Sequence, residues 1–546
     1  MAESNTLARA PTFSPTTFNF QHRQQNFVFC FFRSCHPRPL NALIRQVKNG
    51  TTRLVGYVAC VTLALLLATP AQAQSAESAA KVYLARIAAL DDSGPELNAV
   101  IDTNADAPAE AAAAEKAGLP LAGRTVLVKD NIETKEWPTT AGSLALKDNM
   151  TGRDAPLIAR MRAAGGVVLG KTNLSEWANI RSSNSTSGWS AVGGLTKNPY
   201  ATDRSACGSS SGSGAAVAAS LAWAAIGTET DGSVTCPASL NGVVGFKPTV
   251  GMVSRTDVVP ISHTQDTPGP MAHSVYDAAL LLNAISGSDP ADPATADADA
   301  HKVDFTQGLA TASLKGVRIG VLKKQVGNDP RVSALFDQAL ADLKRAGAEL
   351  VDIGYTYPDK LGDDEMTVLM FELREDMGKY LAGSPADTGM HDLADLIAFD
   401  KAHQHEEMRW FGQDLFEKAE QTTDRAAYEK ARAEAHRLAG PDGIDKLLAD
   451  NKVQFLIAPT VGPAWTSDLV NGDHYNGSIG AGTLPAVAGY PHLTVPMGAV
   501  EGLPIGLSII GAQWHDHEVL EAGAAYERAR TAVLPKPSFE RWKPAE

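Results

Sequence analysis

From Ala79 onward the sequence keeps switching between two spacings, and a chain that does so repeatedly can close a core only by laying helices against a sheet. Asp154 and Pro156 start a helix whose Leu157, Met161 and Ala164 fall on one face; Gly165-Gly166 stops it, and Val167-Val168-Leu169 follows as a buried strand. The alternation recurs with a strand from Val317 to Leu322, a helix from Arg331 to Ala346 stopped by Gly347, and a strand at Leu350 to Ile353. Strand patterns return at Phe455 to Ala458, Leu493 to Val495 and Ile505 to Ile510, each beside Gly or Pro, before a final helix near Glu518 to Arg530. Between Asp363 and Asn451 charged residues intersperse with Leu, Met and Phe at helical spacing, which predicts a helical layer over the sheet. The expected class is therefore α/β with a covered sheet. The Asp/Ala/Pro-rich segment from Ser288 to His301 is expected to be a surface loop, and because strands resume beyond it, one interrupted domain is favoured over two.

The first 73 residues differ in kind. They are poor in acids, hold Cys30, Cys35 and Cys60 of the five cysteines, and turn apolar after Arg53, from Leu54 to Ala68. Ala71-Gln72-Ala73 then supplies the small residues that a signal peptidase accepts, so export with cleavage near Ala73/Gln74 is expected, to a periplasmic or secreted location. A membrane anchor is the competing reading, but the apolar run is short for a bilayer span and contains Gly56 and Cys60; no stable anchor is expected after cleavage. The expected division is an unassigned extension over 1–45, a signal peptide over 46–73 and one enzyme domain over 74–546. Loss of residues 1–73 removes seven Lys/Arg and one Asp/Glu, taking the formal charge from −14 to −20, which argues against a nucleic-acid partner. Cys207 and Cys236 would remain; an oxidising compartment permits their pairing, and spacing leaves it open.

The segment from Cys207 to Ala219, CGSSSGSGAAVAA, packs Ser and Gly ahead of small helix formers, so the backbone can turn tightly and expose amides. A flexible linker would not require the Ala-rich helix and the strand-like Ala224 to Gly227 that follow at once, and a phosphate loop would end in Gly-Lys-Ser/Thr. Gly208, Ser210 and Gly212 also satisfy G-x-S-x-G, the nucleophile elbow of α/β-hydrolases. An elbow must follow a buried strand, however, whereas Asn198 to Ala206 is polar and contains Pro199.

Val128-Lys129-Asp130, GSSSGSGAAVA at 208–218 and GTETDGSVTCPA at 227–238 together resemble the amidase signature family, and so do GKTNLSEWAN at 170–179, SGWSAVGG at 187–194, NGVVGFKPT at 241–249 and DTPGPMA at 266–272. The TET-D-G-S-x-x-C-P wording, SGWSA and AGYPHLTVPMG at 488–498 are most similar to the peptide amidases of that family. The resemblance implies a single large domain over 74–546, a central mixed sheet covered by helices on both faces, and an enzyme that releases ammonia from carboxamides, with the C-terminal amide of peptides as the expected substrate. The alternatives are a hydrolase of small aliphatic or aromatic amides, a non-catalytic binding protein and an amidotransferase subunit. It also implies a Ser-Ser-Lys arrangement, with Ser233 as nucleophile, Ser209 as bridge and Lys129 as base. A lysine can take a serine proton only if its pKa falls from near 10.4 toward roughly 7–8, which burial behind Val126-Leu127-Val128 would achieve. The turn Thr230-Asp231-Gly232-Ser233 can aim successive N–H groups at one oxyanion. Asp231 stands where the wider family has Gly, and Thr235 where it has Arg; both match the peptide amidases. Asp231 and Ser210 are candidate substrate contacts. No HExxH, spaced Cys/His cluster or EF-hand loop occurs, so neither metal nor cofactor is expected.

Overall fold

The computed structural model describes residues 74–544. The extension over 1–45, the signal peptide and most of its cleavage motif lie outside them. Eleven strands form one sheet: β1 (Val100–Thr103), β2 (Thr125–Lys129), β3 (Val167–Thr172), β4 (Ala224–Glu229), β5 (Val244–Lys247), β6 (Thr267–Ala272), β7 (Arg318–Leu322), β8 (Glu349–Ile353), β9 (Phe455–Pro459), β10 (His492–Val500) and β11 (Leu503–Ile510). Their spatial order is β1-β3-β2-β4-β6-β5-β10-β11-β9-β7-β8. β3, β2 and β4 run parallel, β9, β7 and β8 run parallel, and the strands between pair antiparallel, so the sheet is mixed.

Both faces are covered, and the two-residue period of the strands shows it. Val126, Val128, Ala224 and Ile226 point into one core with Leu157, Ile158 and Met161 of the helix Pro156–Ala163 and the apolar face of Val275–Ile285. Leu127 and Ala225 point the other way, onto the helices Ala76–Leu90, Ala107–Lys116 and Ser211–Ala218. Each fully buried aliphatic side chain adds about 1.5–3 kcal/mol, which is why strands with no polar alternation belong at the centre. The predicted strands from Val167 onward and the helices at Pro156–Ala163, Pro330–Arg345 and Asp516–Ala529 are in place. Gly165, at φ +85°, ends the first of these helices as its sequence signal required. The 288–301 loop carries two short helical turns, Pro293–Thr295 and Ala298–His301.

The charged section from 360 to 451 folds into the helices Lys360–Gly383, Leu393–Ala402, Asp414–Gln421, Arg425–Ala439 and Lys446–Asn451. Leu369, Met370, Leu373, Leu393, Leu396 and Phe416 of this layer close over Trp177 and Ile180, in the loop that follows β3. No described helix is long and apolar enough to cross a membrane.

Candidate active site

The alternation of β2 puts Lys129 on the same face as Leu127, and its ladder partner Thr172 meets Ser213 of the helix Ser211–Ala218 on that face. Ser209, just before that helix, is therefore brought to the lysine. The Lys129 amine donates to Ser209 Oγ at 2.7 Å, to Thr228 Oγ1 at 2.8 Å and to the Thr228 carbonyl at 3.2 Å. Lys129 is 0 % exposed, and burial lowers its pKa to about 7 against the opposing pull of the Asp266 and Glu229 carboxylates. Asp130 points elsewhere: it pairs with Lys171 Nζ at 3.0 Å and accepts from Thr140, so the adjacent acid does not neutralise Lys129.

Ser233 lies in the turn after β4, 8 % exposed. Its carbonyl accepts from Ser210 N at 3.1 Å, which ties the two serine-bearing loops together. Among the described residues the N–H groups of Thr230, Asp231, Gly232 and Ser233 have no acceptor within the chain, so this turn presents four free donors. Gly232 has φ +78°, which turns the backbone without steric cost. Below the turn, Glu229 Oε2 accepts from Val234 N at 2.8 Å and Thr235 N at 2.9 Å, and Asp266 Oδ1 accepts from Thr230 Oγ1 at 2.6 Å. Burial raises Asp266 to about 6 in spite of its hydrogen bonds to Thr230, Ser262 and Ile261.

Ser210 is not a cleft residue. It is 0 % exposed, its hydroxyl donates to the Thr228 carbonyl at 3.1 Å and accepts from Thr228 N at 3.2 Å, and it leans on Gly227, where a Cβ would come within 2.6 Å of its oxygen. The expected substrate contact is thus a backbone brace, because both of its hydrogen-bonding functions are consumed by β4. The elbow reading fails on the same geometry, since the strand before it, Ala201–Ser205, belongs to a separate two-stranded ribbon. Thr228, Asn131, Glu229 and Asp266 join the site without having been singled out from the sequence. Asn131 Nδ2 donates to Thr228 Oγ1 at 3.0 Å and so orients the hydroxyl that holds Lys129. Glu229, four residues before Ser233, carries a local signal in the TET wording; Asp266 carries none that would pair it with Thr230.

A cleft of about 680 Å³ opens onto this turn, lined by Asp231, Gly232 and Thr235 and by Tyr357, Glu365 and Tyr475. A cavity of about 710 Å³ near Leu314, Phe455 and His515 touches none of these groups, so chemistry rather than size picks the cleft. Asp231, Asp359, Glu365 and Asp473 line the cleft, and no lysine or arginine does among the described residues. Burial and then the Asp231 charge raise Glu365 to about 8, with Gln265 Nε2 at 3.0 Å opposing. Asp231 is open to cleft water although protein surrounds it; enclosure raises it to about 6, opposed by the Thr483 hydroxyl at 2.8 Å. Cys207 and Cys236, whose pairing spacing leaves open, form a disulfide beside the two serines. His263, Glu372 and Asp376 place donor atoms close enough to share a cation, but they satisfy one another, with His263 Nδ1 2.7 Å from Asp376 and Tyr428 donating to Glu372 at 2.7 Å.

The amidase family model matches residues 79–520. A probable amidase of Arabidopsis thaliana is 37 % identical over 478 residues, covering 84 % of this chain and 87 % of that protein. A glutamyl-tRNA(Gln) amidotransferase subunit of Cupriavidus metallidurans is 34 % identical over 529 residues, covering 86 % and 97 %. The crystal structure of the native peptide amidase of Stenotrophomonas maltophilia superposes with a TM-score of 0.80 at 46 % identity, covering 85 % of this chain and 95 % of that one. A peptide amidase bound to the competitive inhibitor chymostatin gives 0.81 at 47 %, covering 85 % and 96 %.

Proposed function

Since this chain belongs to the amidase signature family and is an amide hydrolase, we propose that it releases ammonia from the C-terminal carboxamide of peptides, with Ser233 as nucleophile, Ser209 as relay and Lys129 as base. The observation that carries the proposal is the buried amine of Lys129, 2.7 Å from Ser209 Oγ and depressed to about 7, because an uncharged amine is what a serine relay needs at neutral pH. The neutral amine accepts the Ser209 proton, Ser209 accepts the proton of Ser233, and the Ser233 oxygen adds to the amide carbon. The oxygen of the tetrahedral intermediate lies against the free N–H groups of residues 230–233. As the C–N bond breaks, the relay returns a proton to nitrogen, ammonia leaves and an ester remains on Ser233. Water, deprotonated through the same relay, cleaves the ester and restores the free serine.

The cleft supports a peptide over a small amide: its volume far exceeds what acetamide fills, and Asp231 of the turn lines it. The decisive assay compares ammonia release by the purified protein from peptide amides with release from acetamide and benzamide. Preference for the small amides would remove the peptide reading, and no release by the isolated protein from either would favour the amidotransferase role. Export is part of the proposal. It draws on the apolar run and Ala71-Gln72-Ala73, and a disulfide between Cys207 and Cys236 fits an oxidising compartment. N-terminal sequencing of the exported protein should begin near Gln74; an uncut chain in the cytosol would rule this out.

A further inference from the structure

We infer that the Cys207–Cys236 disulfide is a positioning pair for the two serines, so that the oxidised protein turns over amides much faster than the reduced one. The inference rests on the roles proposed above for Ser209 and Ser233. Cys207 lies two residues before Ser209 and Cys236 three after Ser233, and the bond joins positions 29 residues apart in the chain. Each cysteine is fixed to its own serine's loop. Cys207 N donates to Ser205 Oγ at 3.0 Å and its carbonyl accepts from Ser211 Oγ, while Cys236 N donates to Gly232 O at 2.8 Å. A shift at either sulfur therefore passes into the backbone at 208–209 or 232–233.

The other ties across the gap are hydrogen bonds: Ser210 N to Ser233 O at 3.1 Å, Ser210 Oγ to the Thr228 carbonyl at 3.1 Å and from Thr228 N at 3.2 Å, and Asn241 Nδ2 to Ala206 O at 2.9 Å; the disulfide joins the segments covalently, and on the far side of Ser233. The rim of the Ser233 turn is otherwise open, since a Cβ at Gly232 would meet no atom within 4 Å. Glu229 and Asp266 brace this turn from beneath, but neither bonds the Ser209 loop. A relay of hydroxyls is sensitive to such slack, because a misplacement of ~1 Å can cost about 10²-fold in rate. Both cysteines line the cleft, so a small dithiol can reach the bond. The dithiol supplies two electrons and two protons, leaving thiols at Cys207 and Cys236 and closing its own disulfide. The two sulfurs then separate to non-bonded distance, and the loops follow.

The test reduces the purified full-length protein with dithiothreitol, mapping the free thiols at Cys207 and Cys236 by alkylation and peptide mass. A fall in kcat of about tenfold or more on a peptide amide is expected, with a smaller change in KM, an unfolding midpoint still above the assay temperature, and recovery on reoxidation. The rate of fluorophosphonate labelling at Ser233 should fall with kcat, and Cys207→Ser/Cys236→Ser should be slow whether or not reductant is present. Reduced, folded protein with kcat within twofold of the oxidised form would overturn the inference, as would a loss that appears only when the protein unfolds. If the oxidised protein released no ammonia from peptide amides, the substrate proposal would fall instead, while the labelling rate would still report whether the disulfide sets the reactivity of Ser233.

Discussion

The proposed chemistry concentrates in one side chain whose ordinary charged state is wrong for the task it is given. Lys129 is short of solvent and held by two hydroxyls and a carbonyl, and its depression to about 7 reflects burial winning over the attraction of Asp266 and Glu229. In the proposed relay the base is the unprotonated form of Lys129, so kcat/KM should rise with pH through an acid limb centred near 7 and fall about tenfold per unit below it; a profile flat between pH 5.5 and 8 would exclude Lys129 as the base. Lys129→Ala and Ser233→Ala should each lower kcat by about 10⁴-fold or more in an ammonia-release assay. Ser210→Ala should behave differently. It strips a buried brace from Thr228 N and the Thr228 carbonyl, so a stability loss of about 1–3 kcal/mol is expected in urea unfolding, without the catalytic collapse of the other two.

Elements differ in how far they announced themselves. β2, β3 and β4 are buried along their whole length; Val167-Val168-Leu169 behind Gly165-Gly166, and Ala224 to Gly227, made β3 and β4 visible in the sequence. The turn after β4 is held by Glu229, whose carboxylate gathers Val234 N and Thr235 N, so Glu229→Gln should slow turnover by about 10–100-fold by loosening the bracket under the free amides. Burst kinetics that locate the loss outside acylation would contradict that role. The helical layer is docked through a buried cluster: Arg181 lies against Glu176 at 2.8 Å, with Asp400 at 3.9 Å and Glu407 at 3.7 Å. Burial outweighs Arg181 at Asp400 and lifts it to about 7. A carboxyl raised in the folded state stabilises below its unfolded pKa near 4 and loses that contribution as pH climbs through about 7. Asp400→Asn should therefore raise the melting temperature at pH 8, by an amount worth about 2–4 kcal/mol, and change it little at pH 3.5, below the unfolded pKa. Equal shifts at both pH values would show that Asp400 is not the titrating group.

Over the whole molecule the eleven-stranded sheet serves to collect, at one end of β2 and β4, Lys129 and two serines that lie 80 and 104 residues beyond it in the chain. The cleft is lined by Asp231, Asp359 and Asp473, by Glu365, which burial and the Asp231 charge keep mostly protonated at neutral pH, and by no described lysine or arginine, so peptide amides with a cationic side chain should show kcat/KM about tenfold above their acidic counterparts at pH 8 and low salt, with the gap narrowing as salt rises. Equal values for both peptides would show that cleft charge does not select substrate. The sequence by itself determined the α/β class and most strand positions, because apolar periodicity is a local property that burial must honour. Its motifs marked Lys129, Ser209, Ser233 and the 230–233 turn as candidates. Tertiary structure alone decided that Asp130 turns to Lys171, that Ser210 is spent on Thr228, that Asp266 reaches Thr230, and that Cys207 meets Cys236. Those pairings depend on strand order and register, which set the distances between remote segments and leave no trace in the spacing of residues along a chain.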